Sequence, residues 1–316
     1  MVSAHAPGKV ILVGEHAVVY GRPAIAVPVW ETVARARVTP NAAGRGCVIH
    51  ARDLGRTIAL AEAGGDEPLA AVARATLAHL GLPTAPDWQI DLTSTIPMAS
   101  GMGSGAAVCA ALVRALFAQA GEVPDPATVS DLVYRAEQIY HGTPSGIDNT
   151  VVAYGQPVWF VRGSPPVVFT PARPFTLVIA DSGEPGLTKQ TVAAVRARRQ
   201  ENPPRYETWF DEIAALVQAA RAAIEQGVPA QLGPLFDHNH ALLQQLGVST
   251  ARLDRLIAVA RRAGAAGAKL SGGGGGGNLI ALVDGVSAPA VRAALLAAGA
   301  PRVIVTTVAA QPFPVA

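Results

Sequence analysis

The sequence predicts an α+β fold with two domains, and three observations support this prediction. The chain has 316 residues, of which 50% are hydrophobic and 15% charged, so it can bury a sizeable core in each of two domains. Helix-like and strand-like segments occur in both halves, without an internal repeat. A loop at 162–174 contains four prolines and separates the halves. We therefore predict domains at 1–165 and 166–316.

The first half alternates strand-like segments with helices. Apolar or alternating runs predict strands at 2–13, 24–38, 47–51, 88–95 and 157–161, with a turn at 7–9 inside the first strand. Helical spacing and end signals predict helices over 67–80, 104–119 and 127–140. Residues 141–149 contain two glycines, a proline and a serine and are predicted as turns. This half is expected to form a sheet with helices packed on it.

The second half combines long helices with a few strands. Helices are predicted to open at 186–189 and to cover 206–226, 231–246, 250–263 and 288–298, with strands at 175–181, 266–270, 278–283 and 302–308. Six consecutive glycines fill 272–277. Such a run is commonly a flexible linker. Because it lies between two apolar strands and lacks serines and charges, we favour a loop inside the fold that another segment packs against.

Composition argues against several classes of protein. The net charge of +2 and the 5% aromatic content do not suit a nucleic-acid-binding surface. No apolar run approaches the roughly 20 residues that span a membrane, and residues 1–20 lack the apolar segment of a signal peptide. The two cysteines, Cys47 and Cys109, lie far apart and form no zinc motif. We expect a cytoplasmic protein without nucleic-acid or membrane partners.

Residues 96–107 form the segment with the clearest potential to bind a ligand. Gly101, Gly103 and Gly105 stand at alternate positions just before and within the start of a predicted helix. Glycines let the backbone approach a ligand, and the unpaired N–H groups and dipole of a helix N-terminus attract anions, most often phosphate. The alternative is a plain tight turn between a strand and a helix.

Other phosphate and nucleophile motifs fit less well. The pattern GxGxxA at 101–106, with Asp125 about twenty residues on, matches a relaxed dinucleotide fingerprint. However, the preceding segment 91–97 is half polar, contains a proline and is not followed by a parallel βαβ series. The sequence has no GxxxxGK[ST] phosphate loop and no GxSxG elbow.

Several residues with chemical potential are spread along the first half. They are Lys9, Glu15, His16, Ser104, Glu137 and Asp148. Phosphoryl transfer needs such a set: donors and a cation on the phosphates, a carboxylate for Mg²⁺, and a residue that takes the proton of the attacking oxygen. Individually each residue could be a surface charge or a helix cap. Together they favour a phosphoryl-transfer site.

Three ordered motifs resemble those of the GHMP small-molecule kinases. They are PGKVILVGEHAVVYG at 7–21, the glycine loop IPMASGMGSGAA at 96–107, and KLSGGGGGG at 269–277. Further similar stretches occur at 141–149 and at 239–249. The first motif resembles that of the members that phosphorylate mevalonate, because galactokinases carry Thr-Asp where this chain has Ala17-Val18. The resemblance covers nearly the whole chain.

The resemblance implies a fold and a set of site residues. It implies an N-terminal domain like domain 2 of ribosomal protein S5, a ferredoxin-like C-terminal domain, ATP and substrate in the cleft between them, and Mg²⁺ as a second cofactor. By position, Asp148 matches the catalytic base and Lys9 the lysine beside it, while Glu137 and Ser104 match the magnesium site. The implied nucleotide-binding residues are Ser100, Gly101, Met102, Gly103, Ser104, Gly105 and Ala106, and the implied substrate-binding residues are Glu15, His16, Gly272 and Gly273.

The resemblance also implies an activity and partners. The expected reaction is ATP- and Mg²⁺-dependent phosphorylation of the 5-hydroxyl of mevalonate, a step of isoprenoid synthesis. The alternatives are another GHMP kinase, acting on phosphomevalonate or homoserine, and a nucleotide-binding relative without catalysis. Many members of the family are homodimers, so a homodimer is expected.

Three positions depart from the family pattern. Gly105 replaces the second serine of the glycine loop, whose hydroxyl binds magnesium in the family. Mg²⁺ commonly keeps several waters, so this loss need not abolish activity. Gly273 stands where alanine is usual and Asn278 where cysteine is common, and both changes are expected to loosen the third loop.

Overall fold

Two β-sheets with helices packed on them organise the chain. The computed structural model describes residues 1–98, 100–141 and 144–309, without the side chains of residues 140 and 141. The strands of the first sheet lie between Val2 and Val168, and those of the second between Phe175 and Val308. The domain boundary that we predict after residue 165 remains a prediction, and the first sheet continues past it to Val168.

The first sheet is mixed. Its strands are β1 Val2–Val13, β2 Ala24–Pro40, β3 Val48–Ala51, β4 Arg56–Ala59, β5 Trp88–Ser94, β6 Val158–Phe160 and β7 Val167–Val168. They are ordered β4-β3-β5-β2-β6-β7, with β1 paired to β2 and only the β3–β5 pair parallel in the described ranges. The helices of this half are α1 Pro68–His79, α2 Ser104–Gln119, α3 Pro126–His141 and α4 Ile147–Tyr154.

Helix α2 lies at the centre of the first half. It contacts β1, β2 and the three other helices of this half, and its residues from Ala106 to Phe117 are almost all buried. Five of its core residues are alanines, whose small side chains allow close backbone approach. The central position of α2 fixes the glycine loop that precedes it.

The second sheet is antiparallel. Its strands are β8 Phe175–Asp181, β9 Gly267–Ser271, β10 Asn278–Val283 and β11 Val303–Val308, in the order β11-β8-β10-β9. The helices are α5 Thr188–Glu201, α6 Pro203–Glu225, α7 Leu232–Gln245, α8 Ala251–Arg262 and α9 Ser287–Ala297. The succession of strand, helices, two strands, helix and strand is the ferredoxin-like pattern, which confirms the predicted fold class. Within the described ranges, no helix has the length and apolar character needed to cross a membrane.

The predicted turn at 7–9 is wrong. These residues stay inside β1, and the pairing with β2 shifts register between Pro7 and Gly8. Residues 30–32 of β2 have no partner in β1 at this point, so the pairing is interrupted there without ending the strand. As a result the N–H of Lys9 donates to the carbonyl of Met102 in the glycine loop, at 3.0 Å.

The stretch predicted as turns, 141–149, contains the start of a helix. Helix α4 begins at Ile147, after Gly146 with a φ of +91°. The polar residues here suggested a loop, but six of the eight residues of this short helix are buried, Ile147, Val151 and Val152 among them. Tertiary packing therefore overrides local propensity. Residues 142 and 143 lie outside the described residues.

Two short strands were not predicted. β4 and β7 pair with β3 and β6 respectively, and β7 falls inside the proline-rich segment 162–174. Each forms an edge of the sheet and has at most four residues, too few for a clear alternating pattern.

Contacts between the halves fix the cleft. The hydroxyl of Ser271 on β9 donates to the carbonyl of Ile11 on β1 at 2.9 Å and accepts from its N–H at 3.0 Å. The ring of Tyr20 stacks on that of Phe210 in α6, with centroids 4.5 Å apart. Since these contacts join the first motif to both β9 and α6, the end of β1 is held against the second half.

Candidate active site

Lys9 and Asp148 form an ion pair at the base of the cleft. The Nζ atom of Lys9 lies 2.8 Å from Oδ1 of Asp148. The lysine is 3% exposed and the aspartate side chain 32% exposed, so the carboxylate faces the cleft while the ammonium lies behind it. The sequence places these residues far apart, and the fold brings them into contact as predicted.

Helix α4 positions Asp148. The residue lies in the first turn of α4, after the Gly146 cap, where a carboxylate is favoured by the helix dipole. At the other end of α4, the buried guanidinium of Arg114 donates to the carbonyl of Ala153 at 2.8 Å and also to that of His5 on β1 at 2.8 Å. Burial lowers the pKa of Arg114 to about 10. Arg114 thus joins α4 to β1, a role that its place in an apolar helix did not reveal.

The glycine loop covers the ion pair. Gly101 and Gly103 have φ values of +82° and +70°, which are open to glycine and strained for other residues. A Cβ at Gly103 would lie 3.0 Å from Cγ of Lys9 and 3.7 Å from Oδ2 of Asp148. Gly103 is also the N-cap of α2, so the first N–H groups of that helix open next to the pair. An anion at this helix N-terminus would lie beside Lys9 and Asp148.

Glu137 on α3 belongs to the same electrostatic unit. Its side chain is buried, and burial together with the charge of Asp148 raises its pKa to about 7, against the lowering effect of Lys9. Two carboxylates near one lysine leave an excess of negative charge that a divalent cation can balance. No group of three or more His, Cys, Asp and Glu suited to a metal exists in the described part of the chain. Carboxylate oxygens are the hard donors that suit Mg²⁺, an ion that uses few protein carboxylates and completes its shell with phosphate and water.

His16 has a constrained backbone and a defined tautomer. It is the non-glycine residue with positive φ in the described ranges, at 61°. Such strain persists where the surroundings over-determine it, often at functional sites. Its Nε2 lies 2.9 Å from the carbonyl of Gly273, so Nε2 carries the proton and donates. Burial lowers the pKa of His16 to about 4, which leaves the ring neutral with the lone pair of Nδ1 unused.

Glu15 pairs with Lys269 in the interior. Both side chains have no exposed area, and the Nζ atom of Lys269 contacts Oε1 of Glu15. The lysine also donates to the carbonyl of Leu270 at 2.7 Å. The ion pair joins the segment that follows β1 to β9, and the other carboxylate oxygen of Glu15, Oε2, is buried without a hydrogen-bond partner in the described residues. The substrate contact that we predict for Glu15 remains a prediction.

The glycine run 272–277 connects β9 and β10 and is packed on several sides. A Cβ at Gly274 would lie 2.1 Å from the carbonyl oxygen of Val248, and one at Gly276 would lie 2.5 Å from that of Pro185. At Gly277 the nearest atom would be the carbonyl oxygen of Ser100, at 3.0 Å. The run is a loop inside the fold with neighbours on both domains, as we expected, and not a linker.

The expected loosening of this loop at 273 and 278 remains a prediction, and the contacts at both positions argue against it. Asn278 donates from Nδ2 to the carbonyl of Ser100 at 2.7 Å, so its amide joins the end of the glycine run 272–277 to the glycine loop 96–107. Gly273 faces Thr188 at the start of α5, and a Cβ there would lie 2.5 Å from Oγ1 of that threonine. Both departures from the family pattern therefore have packing partners in this chain, which a sequence motif does not show.

A cavity of about 580 Å³ adjoins the start of α2. Ser104 and Gly105 line it together with the segment 94–98 and, from the second domain, Arg302. The guanidinium of Arg302 donates to the carbonyl of Thr95 at 3.2 Å, which closes one side. Its size and position suit a group attached to an anion at the glycine loop. Sequence motifs did not predict this cavity, because its lining residues come from separate segments.

The fold gathers most of the predicted site residues. Met102 and Ala106 are buried beneath the loop, while Gly105 is exposed in the first turn of α2. Gly272 approaches the loop from the second domain, since a Cβ there would lie 3.9 Å from the carbonyl of Gly101. Residue 99 of the glycine loop and residues 142–143 of the similar stretch at 141–149 lie outside the described residues. The fold and site together are those of an enzyme that handles a phosphorylated ligand between two domains.

Comparisons with known proteins place the chain in a family. The family model for the GHMP kinases N terminal domain matches residues 68–156, and that for the GHMP kinases C terminal domain matches residues 220–301. The mevalonate kinase of Thermococcus sibiricus is 35% identical, over 96% of this chain and 95% of that protein. The mevalonate kinase of Pyrococcus horikoshii is also 35% identical, over 96% and 94%.

A solved structure agrees with this placement. The crystal structure of L. major mevalonate kinase in complex with R-mevalonate superposes with a TM-score of 0.84 at 27% identity, covering 99% of this chain and 97% of that one. The chain belongs to the GHMP kinase family. It is therefore an ATP-dependent phosphotransferase that acts on a hydroxyl group.

Proposed function

We propose that the chain transfers the γ-phosphoryl group of ATP to the 5-hydroxyl of mevalonate, giving 5-phosphomevalonate and ADP. The observation that carries the proposal is the ion pair of Lys9 and Asp148, 2.8 Å apart and directly beneath Gly103 at the start of α2. A proton acceptor and a cation thus lie where the helix N-terminus would hold the phosphates. The 35% identical relatives, which are mevalonate kinases, support the choice of acceptor.

In this mechanism Asp148 takes the proton of the attacking hydroxyl. The hydroxyl oxygen then forms a bond to the γ-phosphorus as the bond to the leaving oxygen of ADP breaks. Lys9 lies behind the carboxylate and stabilises the negative charge that develops on the attacking oxygen. The N–H groups at the start of α2, together with the hydroxyl of Ser104, hold the β- and γ-phosphates.

Glu137 and Ser104 are the proposed holders of Mg²⁺. The raised pKa of Glu137 supports this, because a cation beside it would stabilise its charged form. When bound, the metal neutralises phosphate charge and orients the γ-phosphoryl group. Gly105 supplies no hydroxyl, so water and phosphate oxygens would complete the shell of the bound ion.

His16 is the proposed contact to the acceptor. Its neutral ring presents the lone pair of Nδ1, which accepts a hydrogen bond from an alcohol. The bond from Nε2 to Gly273 fixes the direction of that lone pair. Because Gly273 belongs to the third loop, acceptor binding and the position of this loop are coupled.

An assay that follows ADP release with mevalonate, phosphomevalonate, homoserine and galactose tests the proposal. We expect turnover with mevalonate that exceeds the others by at least about a hundredfold, the discrimination that a polar pocket readily achieves. The Asp148→Asn protein, purified in parallel, controls for contaminating kinases. A preference for another acceptor, or ATP binding without turnover, would contradict the proposal.

A homodimer also remains a prediction, and light scattering on the purified chain checks it.

A further inference from the structure

One backbone carbonyl links the two glycine loops. The carbonyl of Ser100 lies in the glycine loop 96–107, which is the proposed phosphate loop. It accepts a hydrogen bond of 2.7 Å from Nδ2 of Asn278 in the second domain. Ser100 and Asn278 are 4% and 2% exposed, so this bond is shielded from water. A Cβ at the preceding residue, Gly277, would lie 3.0 Å from the same oxygen. Two consecutive residues of the second domain therefore meet one carbonyl of the loop.

The orientation of this carbonyl determines that of a neighbouring N–H. A peptide unit is planar and trans, so the carbonyl of Ser100 and the N–H of Gly101 point in opposite directions. Gly101 has a φ of +82° and, as a glycine, can adopt many other conformations at little cost. Inside the loop, the side chain of Ser100 donates to Pro97 at 2.9 Å, a bond that leaves this peptide unit free to rotate. Asn278 is the contact that fixes it from outside.

We propose that Asn278 is a positioning residue for ATP. By holding the peptide between Ser100 and Gly101, it keeps the N–H of Gly101 in the orientation in which the loop receives a phosphate oxygen. The inference rests on the proposed nucleotide site and adds to it a residue of the other domain. The glycine loop lacks the serine hydroxyl that the family has at position 105, and it has in addition the hydrogen bond from Asn278 to Ser100.

The expected effect follows from the type of bond. A buried hydrogen bond between neutral groups contributes about 0.5–1.5 kcal/mol, so Asn278→Ala should weaken ATP binding roughly 2- to 12-fold. The Michaelis constant for ATP should rise by a similar factor while kcat changes little. The amide protons of the phosphate loop should exchange faster with solvent.

Asn278→Asp provides a sharper test because it has nearly the same shape. The ionised carboxylate repels the carbonyl of Ser100, whereas the protonated form donates to it as the amide does. Position 278 on β10 pairs with Asp181 on β8. Burial and the negative charge of Asp181 should therefore raise the pKa of the new carboxyl group. ATP binding by this variant should therefore be weaker than that of Asn278→Ala at pH 8 and stronger at pH 5.5.

The experiment measures ATP affinity by calorimetry at both pH values for the unaltered chain and the two variants. Asn41→Ala is the matched control, because Asn41 also donates its amide to a backbone carbonyl, that of Gly46 at 3.1 Å, in a loop of the first half. Hydrogen exchange of 100–105 and the thermal midpoint of each protein complete the set. The control should lose stability without losing ATP affinity.

The outcomes separate the two levels of inference. If the unaltered chain binds no ATP, the proposed nucleotide site fails and the role of Asn278 fails with it. If the chain binds ATP and Asn278→Ala binds it equally well, or loses no more affinity than Asn41→Ala, the positioning role alone is refuted. Should Asn278→Ala not fold, the affinity of Asn278→Asp relative to that of the unaltered chain decides: it should be close to that of the unaltered chain at pH 5.5 and clearly lower at pH 8, and a ratio that does not change with pH overturns the inference.

Discussion

Replacing Glu137 by glutamine should make the chain more stable at neutral and alkaline pH. The carboxyl is buried, and its pKa is about 7 in the fold against an ordinary value of 4.5. The folded chain therefore holds this proton more tightly than the unfolded chain does. The contribution of Glu137 to stability is complete below pH 4.5 and is lost as the pH rises to 7.

The size of the effect follows from the two pKa values. The difference between 7 and 4.5 corresponds to about 3 kcal/mol, at 1.36 kcal/mol for each pH unit. For a chain of 316 residues this amounts to roughly 5 °C in the thermal midpoint. Glutamine keeps the shape of the side chain and has no proton to lose, so it avoids this penalty.

The assay compares thermal and urea unfolding of Glu137→Gln and the unaltered chain from pH 4.5 to 8.5 in EDTA. The difference between the two proteins should grow in favour of glutamine from pH 4.5 to about 7 and stay constant above that pH. His16 and His240, whose pKa values burial lowers to about 4, make both proteins more stable as the pH rises to 6.5, so their effect cancels in the difference. Glu212→Gln on α6 controls for the loss of an exposed carboxylate.

A flat difference curve, or a loss of stability at pH 8, would refute the reasoning about Glu137. Adding Mg²⁺ with ADP gives a second readout. The metal should stabilise the unaltered chain above pH 7 more than it stabilises Glu137→Gln, because the ionised carboxylate attracts the cation with a charge that the amide lacks. Equal stabilisation of both proteins would remove Glu137 from the metal site.

Three further predictions concern the cleft. Asp148→Asn should lower kcat by about 10²- to 10⁴-fold with ATP affinity nearly intact, as steady-state kinetics and calorimetry can show, and unchanged turnover would exclude Asp148 as the base. Gly105→Ser should lower the Mg²⁺ concentration needed for half-maximal activity, and an unchanged requirement would mean that water replaces the hydroxyl without cost. Gly273→Ala should reduce kcat/KM at least about tenfold, because its Cβ would lie 2.5 Å from Thr188 Oγ1 and would displace the carbonyl that holds His16. If the clash with Thr188 is the cause, the double variant Gly273→Ala with Thr188→Gly should recover part of the lost kcat/KM. A kcat/KM of Gly273→Ala equal to that of the unaltered chain would contradict the prediction.

The contacts of Asn278 and Gly273 show how a departure from a family motif should be interpreted. In the sequence both residues weaken the match to the third motif, which suggested a looser loop. In the fold Asn278 bonds to Ser100, and Gly273 makes room for Thr188. A motif records which residues are usual, whereas the consequence of a change depends on neighbours that are distant in the chain.

The sequence by itself determined the elements that local patterns encode. The strand Phe175–Asp181 and the helix Ser104–Gln119 have the predicted bounds, because apolar periodicity and end signals act within a few residues. The three glycine-containing motifs also identified the family, since phosphate binding at a helix N-terminus requires specific residues in a short stretch.

Tertiary structure alone decided what those elements do together. Only the fold shows that Glu15 is closed off by Lys269 and that Arg114 holds the end of α4. Helix α4 itself forms where most of its residues are buried, although its first residues resemble a turn. These outcomes depend on burial, on charge placed at short range, and on contacts between residues far apart in the chain, none of which a local pattern contains.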